Sequence, residues 1–207
     1  KAGAVEAVLF SRPLDTFRSE IWELVDGKPV KLNLPERVSV EGVIGDRLVF
    51  SNEQDWTFRE ADYKAGSLLA FCLPCLRPLA ANEIVISNGE PLIFAPSSRQ
   101  SVSGVRVMDD RVVVAINDNV VGRLAVFENK GEWGWPRTDI AVPANSAVGL
   151  GDSSKAKGQV FVSTQGFLTP PTLSLADVST AALTELKSAP AKFDASTHVV
   201  EQFEATS

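Results

Sequence analysis

The feature that most constrains this chain is a rhythm of short apolar runs. Residues 5–10, 20–25 and 29–34 each alternate apolar and polar side chains, and each is bounded by turn residues such as Asp26-Gly27. The same texture continues in residues 39–44, 47–50, 67–71 and 91–94. It recurs in 102–107, 111–116, 123–127 and 138–142, and again in 147–150, 159–163, 172–175 and 183–187. Strands at this density, with almost no helical periodicity between them, predict an all-β fold. The grouping says more. Fourth strands end near residues 34, 94, 142 and 187, at gaps of about 60, 48 and 45 residues, close to the ~40–50 residues of a four-stranded propeller blade. The expectation is a partial β-propeller: about three full antiparallel blades plus an incomplete one that lacks its first strand. A β-sandwich uses strands at similar density but needs no four-strand period. The long first gap, across the second group of strands, is assigned to loop insertions at 55–66 and 73–88, the latter with a short helix around 76–82. Residues 177–187 carry a cap residue and helix formers, and a helical turn there competes with the last strand.

Composition excludes several classes. With 20 Lys+Arg against 26 Asp+Glu the net charge is -6, and no basic run is present, so neither nucleic acid nor an anionic membrane is an expected partner. No apolar stretch approaches the ~20 residues of a membrane span. Hydrophobic residues at 44% and charged residues at 22% fit an ordinary globular chain. Two cysteines do not make a disulfide-stapled miniprotein. The compartment stays open between cytoplasm and periplasm.

Reactive groups are sparse. A Ser-His-acid triad needs a histidine, and His198 is the only one, near the C-terminal end. No G-x-S-x-G elbow occurs; Gly149-Leu-Gly-Asp-Ser-Ser154 reads as a serine-rich loop without the strand-to-helix setting. No catalytic residue is assigned. Cys72-Leu-Pro-Cys75 has C-x-x-C spacing, but zinc needs two further ligands and none is in sight. The pair is read as two cysteines at a strand end, in a loop tight for a disulfide, and no metal or cofactor is expected. Asp109-Asp110 reads as turn chemistry and Asn117-Asp-Asn119 as a capped hairpin. Trp133-Gly-Trp135 reads as a pair packing between blades.

Thr164 to Pro170, Asp55-Trp-Thr with Ala65 to Ala70, Val112 to Leu124 and the tail from Leu186 onward together resemble the prolyl oligopeptidase family, bacterial branch. Thr164-Gln-Gly-Phe-Leu-Thr-Pro170 is similar to the "Thr-Ser-Phe-Leu-Thr-Pro" stretch of the family's last blade, with Gln165-Gly166 in place of the single Ser. Asp55-Trp-Thr with Ala65-Gly-Ser-Leu-Leu-Ala70, the run from Val112 to Leu124, and the tail from Leu186 onward follow in family order. The resemblance implies the C-terminal half of a seven-bladed, unclosed propeller that caps a serine-peptidase α/β-hydrolase domain. Residues 1–190 would be propeller and 191–207 a tail leading to that domain. This chain alone would be no enzyme; the parent would be a serine-type oligopeptidase whose propeller gates the access of short peptides.

Topology adds an expectation of its own. Strand directions alternate, so the connections between second and third strands share a face with the exit of each fourth strand. A peptidase domain attached to the tail would sit over Arg12, Asp15, Asp55, Trp56, Asn117, Asp118, Arg123, Gln165 and Phe167. The rival readings are an independent peptide- or protein-binding propeller module and a homologue with an inactive peptidase domain. A partial propeller would also leave two blade flanks uncovered and favour self-association.

Overall fold

The computed structural model describes residues 7–79, 89–203 and 205. Three four-stranded antiparallel sheets and one three-stranded sheet follow one another along the chain. The first sheet is β1 (Leu9–Pro13), β2 (Ser19–Val25) and β3 (Lys28–Lys31). The second is β4 (Val38–Ile44), β5 (Arg47–Asn52), β8 (Leu68–Cys72) and β9 (Leu92–Phe94). Between β5 and β8 lies a separate hairpin, β6 (Trp56–Phe58) and β7 (Ala61–Tyr63), and β8 runs into a one-turn helix, α1 (Leu73–Leu76). The third sheet is β10 (Gln100–Val107), β11 (Arg111–Asp118), β12 (Val121–Glu128) and β13 (Arg137–Ile140). The fourth is β14 (Ser146–Ser154), β15 (Gln159–Gly166), β16 (Thr172–Asp177) and β17 (Ala182–Ser188). In every four-stranded sheet the spatial order is the sequence order, as in a propeller blade, and the fourth-strand ends match the expected period.

By contact the chain divides into two units. One comprises residues 1–98, 107–112 and 127–137, the other 99–106, 113–126 and 138–207. In the first unit, Ile21 and Leu32 meet Leu48, Phe50, Leu69, Phe71, Leu73 and Leu76 in one buried cluster. Strand alternation explains it: Leu48 pairs with Phe71 and Phe50 with Leu69, so all four project from one side of the second sheet. Its other side carries the equally buried Val49, Leu68 and Ala70, which is why β5 and β8 read as continuous apolar runs. In the second unit Val160, Val162, Thr164, Ser174 and Ala176 are buried. Gly122 is required there, because a Cβ would sit 2.6 Å from the Ser146 carbonyl oxygen and 2.7 Å from the Val148 nitrogen.

Three expectations need correction, and at residues 177–187 the strand prevails over its helical alternative. The insertion at 55–66 is not an open loop. Trp56 pairs with Tyr63 and Phe58 with Ala61, which puts three aromatic rings on one side of the hairpin, and that side lies on the buried cluster. The short helix forms earlier than expected, at Leu73–Leu76, with Cys72 as its cap; residues 80–88 of the expected segment lie outside the described residues. Asp177 caps a turn through the backbone N–H groups of Ser179 and Thr180. Ala181 then takes φ 55° and β17 follows, so helix propensity yields to the edge of the sheet. Gly149 to Ser154 belong to β14, with a bulge between Leu150 and Ser153, rather than to a loop.

Both sheet sides turned away from these cores expose apolar groups. In the first unit they are Val8, Phe10 and Leu24, with Phe10 stacked on Trp22. In the second they are Phe161, Leu173 and Leu186.

Candidate functional site

The candidate residues all occur at or beside the connections between second and third strands of a blade, and each unit holds its own group. In the first unit, Arg12 on β1 lies 3.5 Å from Glu20, which also takes Lys31 Nζ at 2.7 Å. Asp15 shapes the β1–β2 turn. Its Oδ1 accepts the N–H groups of Phe17 and Arg18 at 2.9 and 2.8 Å, and its Oδ2 accepts Arg18 Nε at 2.7 Å. Asp55 does the same work at the base of the hairpin, accepting Lys64 Nζ at 2.8 Å and the Ala65 N–H at 2.9 Å. In the second unit Asp118, at the end of β11, lies 3.7 Å from Arg123 on β12. Three successive blades therefore carry an acid on the outgoing side of this connection and a base on the returning side. In the fourth blade the Gly166 N–H bonds the Thr169 carbonyl instead.

These pairs set the local electrostatics. The Phe17 N–H, then the Arg18 guanidinium, hold the Asp15 carboxyl below its ordinary 3.8. The Lys64 ammonium, then the Ala65 N–H, lower Asp55 likewise. A carboxyl lowered by folding stabilises above its unfolded value, and that contribution is lost as pH falls through the lower folded value. Denaturant midpoints are therefore expected to fall from about pH 4 downward. Asp15→Asn and Asp55→Asn should each flatten the slope. All of these groups are exposed, so the effect is small and weakens with salt.

Trp56 is half-buried. Its ring lies 4.8 Å from Phe58, 5.6 Å from Phe71, 5.7 Å from Tyr63 and 5.8 Å from Phe50, centroid to centroid. It fastens the hairpin to the core. Asn117 and Gln165 are exposed, and Phe167 is 85% exposed. Gln165 and Phe167 do come together. With Val120, Asn145, Ala147 and Gly166 they line a cleft of about 440 Å³ in the second unit.

Val120 is a contributor to that cleft that the sequence does not announce. Asn119 and Val120 form the two-residue β11–β12 turn with φ 49° and 66°. Asn suits such a turn; a β-branched residue at positive φ does not, and Val120 is 81% exposed. The Asn119 carbonyl accepts a hydrogen bond from Gln202 Nε2 at 3.1 Å, so the tail passes beside the same turn. The described tail forms no strand, and the His198 ring lies 5.5 Å from Phe193. Trp135 is buried, its indole N–H on the Glu90 carbonyl at 2.9 Å, whereas Trp133 is exposed; the expected packing pair is thus split. Cys72 and Cys75 are disulfide-bonded, although the short loop had argued against it. No group of three or more potential metal ligands occurs among the described residues.

No family model matches the chain. An uncharacterized peptidase of Sinorhizobium fredii is 33% identical over 202 residues, which cover 95% of this chain and 27% of the relative. An uncharacterized peptidase of Rickettsia prowazekii is 26% identical over 177 residues, 86% of this chain and 24% of the relative. Among solved structures, a post-proline cleaving enzyme from Rickettsia typhi superimposes with a TM-score of 0.79 at 25% identity, over 97% of this chain and 29% of that one. In sequence and in fold this chain resembles part of the propeller domain of prolyl oligopeptidases. An oligopeptidase B from Trypanosoma brucei shares the fold, with a TM-score of 0.60 at 10% identity. The chain spans about a quarter of the length of these relatives.

Proposed function

We propose that this chain is the non-catalytic, gating part of a prolyl oligopeptidase-like serine peptidase. Its connections between second and third strands would adjoin the peptidase domain of the same polypeptide and restrict entry to short peptides. The observation that carries the reading is the match along 97% of the chain to the post-proline cleaving enzyme. The geometry is compatible with it. The acid–base pairs leave little net charge on these turns, while Val120 and Phe167 offer exposed apolar groups beside a cleft and beside the tail.

Two measurements test it. The purified chain is expected to hydrolyse no proline-linked peptide or ester; turnover that co-purifies with it and is abolished by Ser153→Ala or His198→Ala would sink the reading. In the full polypeptide, Phe167→Ala is expected to change the ratio of hydrolysis rates for long and short peptides several-fold, roughly 1 kcal/mol of discrimination. An unchanged ratio for Phe167→Ala and Gln165→Ala, in folded protein, argues that this face does not gate.

A further inference from the structure

α1 is one turn long and carries Pro74, too short to persist on its own propensity. Yet parts distant in sequence hang on it. The Leu76 carbonyl accepts the Asn33 N–H, beyond β3, at 2.6 Å. The Leu73 N–H donates to the Asp46 carbonyl in the β4–β5 turn at 2.9 Å. The Cys75 carbonyl accepts Arg59 Nη2, at the tip of the β6–β7 hairpin, at 2.9 Å. That tip is itself costly: Arg59 and Glu60, neither a glycine, hold φ 49° and 67°, a conformation that persists only where surrounding contacts enforce it. Across the base of this helix runs the Cys72–Cys75 bond, with Cα atoms 5.2 Å apart and both residues buried, Cys75 to 1% exposure.

We propose that Cys72–Cys75 is a redox-sensitive latch on the β6–β7 hairpin. In the oxidised state the cross-link fixes α1, and the Cys75 carbonyl holds Arg59 and the hairpin tip against the second sheet. A dithiol reductant opens it by exchange. One reductant thiolate attacks a sulfur of the pair, giving a mixed disulfide; the second thiol resolves it. Two electrons and two protons pass to Cys72 and Cys75, and the reductant leaves as its own disulfide. The helix then loses its constraint and the anchor for Arg59 loosens with it. Burial makes the exchange slow, because the sulfurs are reached only when α1 opens. Asp55 and Trp56 stand at the foot of the hairpin, so the latch governs the connection from β5 to β8. The inference needs only this chain and is independent of the gating proposal.

Amide hydrogen exchange of the whole chain tests it, before and after dithiothreitol. On reduction, amides of residues 56–63 and 73–77 are expected to exchange about tenfold faster, and those of β14 to β17 to stay unchanged. The Cys72→Ser/Cys75→Ser variant should exchange like the reduced protein and ignore dithiothreitol. Arg59→Ala should free the hairpin even in oxidised protein while 73–77 remain protected, a separation that loss of packing alone would not give. Equal hairpin exchange in both redox states of the unmutated chain overturns the proposal. So does stoichiometric alkylation of Cys72 and Cys75 in unfolded, never-reduced protein. If the double variant fails to fold, reduction of the unmutated chain decides alone.

Discussion

Phe50→Ala is expected to destabilise the first unit by about 3–5 kcal/mol, the range for truncating a fully buried aromatic ring. Phe50 has no exposed surface. It meets Trp56 edge-on at 5.8 Å and stacks on Phe71 at 6.0 Å, so one substitution opens a cavity beneath the hairpin and in the second sheet together. Partial collapse is hindered because Leu48, Leu69 and Phe71 are held in register by the strand ladder. Equilibrium unfolding followed by tryptophan emission reports on it, since Trp56 lies against the ring that is removed. Two units need not unfold in one step, so the transition sensed at Trp56 is the relevant one. Phe10→Ala is the control. Phe10 is 43% exposed on an uncovered flank, and its loss should cost under about 1 kcal/mol. Equal effects at the two positions would mean that the cluster around Phe50 is not the core of this unit.

The blade period was legible because it rests on local signals: alternation within a strand and turn residues between strands. Asp26-Gly27 and Asp109-Asp110 do stand at the β2–β3 and β10–β11 turns. The hairpin at 56–63 leaves a trace in the spacing of Trp56, Phe58, Ala61 and Tyr63, but the polar composition of the insertion around it reads as loop. The acid–base pairs were half visible. Asp15, Asp55, Asp118 and Arg123 were singled out, yet which base meets which acid depends on strand register, a long-range quantity. Val120 in a positive-φ turn could not be read at all, because propensity argues against it and only the two-residue spacing between β11 and β12 forces it. The sequence leaves the disulfide open for a related reason. C-x-x-C closes easily when a helical turn begins at the first cysteine, and α1 was expected several residues later.

Glu23 was equally hidden, since in Ser19–Val25 it reads as the polar partner of an alternating strand. It is instead 4% exposed, on the same side of β2 as Ile21. Arg77, 54 residues on, forks onto it with Nε on Oε2 and Nη2 on Oε1, both at 2.8 Å. Removing one partner of such a pair costs more than the pair contributes, because the other charge is left without compensation. The two residues differ in what remains behind. Arg77→Ala strands a carboxylate whose side chain is 6% exposed, and about 3 kcal/mol is expected, the low end of the range for a broken buried pair. Glu23→Ala leaves a guanidinium whose side chain is 32% exposed; it can turn to water, so about 1–2 kcal/mol is expected once solvent screening is allowed for. Glu23→Leu with Arg77→Met, which removes both charges and keeps volume, should restore most of the loss. Denaturant midpoints of the four proteins give the comparison directly. A Glu23→Ala loss larger than that of Arg77→Ala, or a double variant no better than Arg77→Ala alone, would show that the pair contributes net stability and is not merely costly to break.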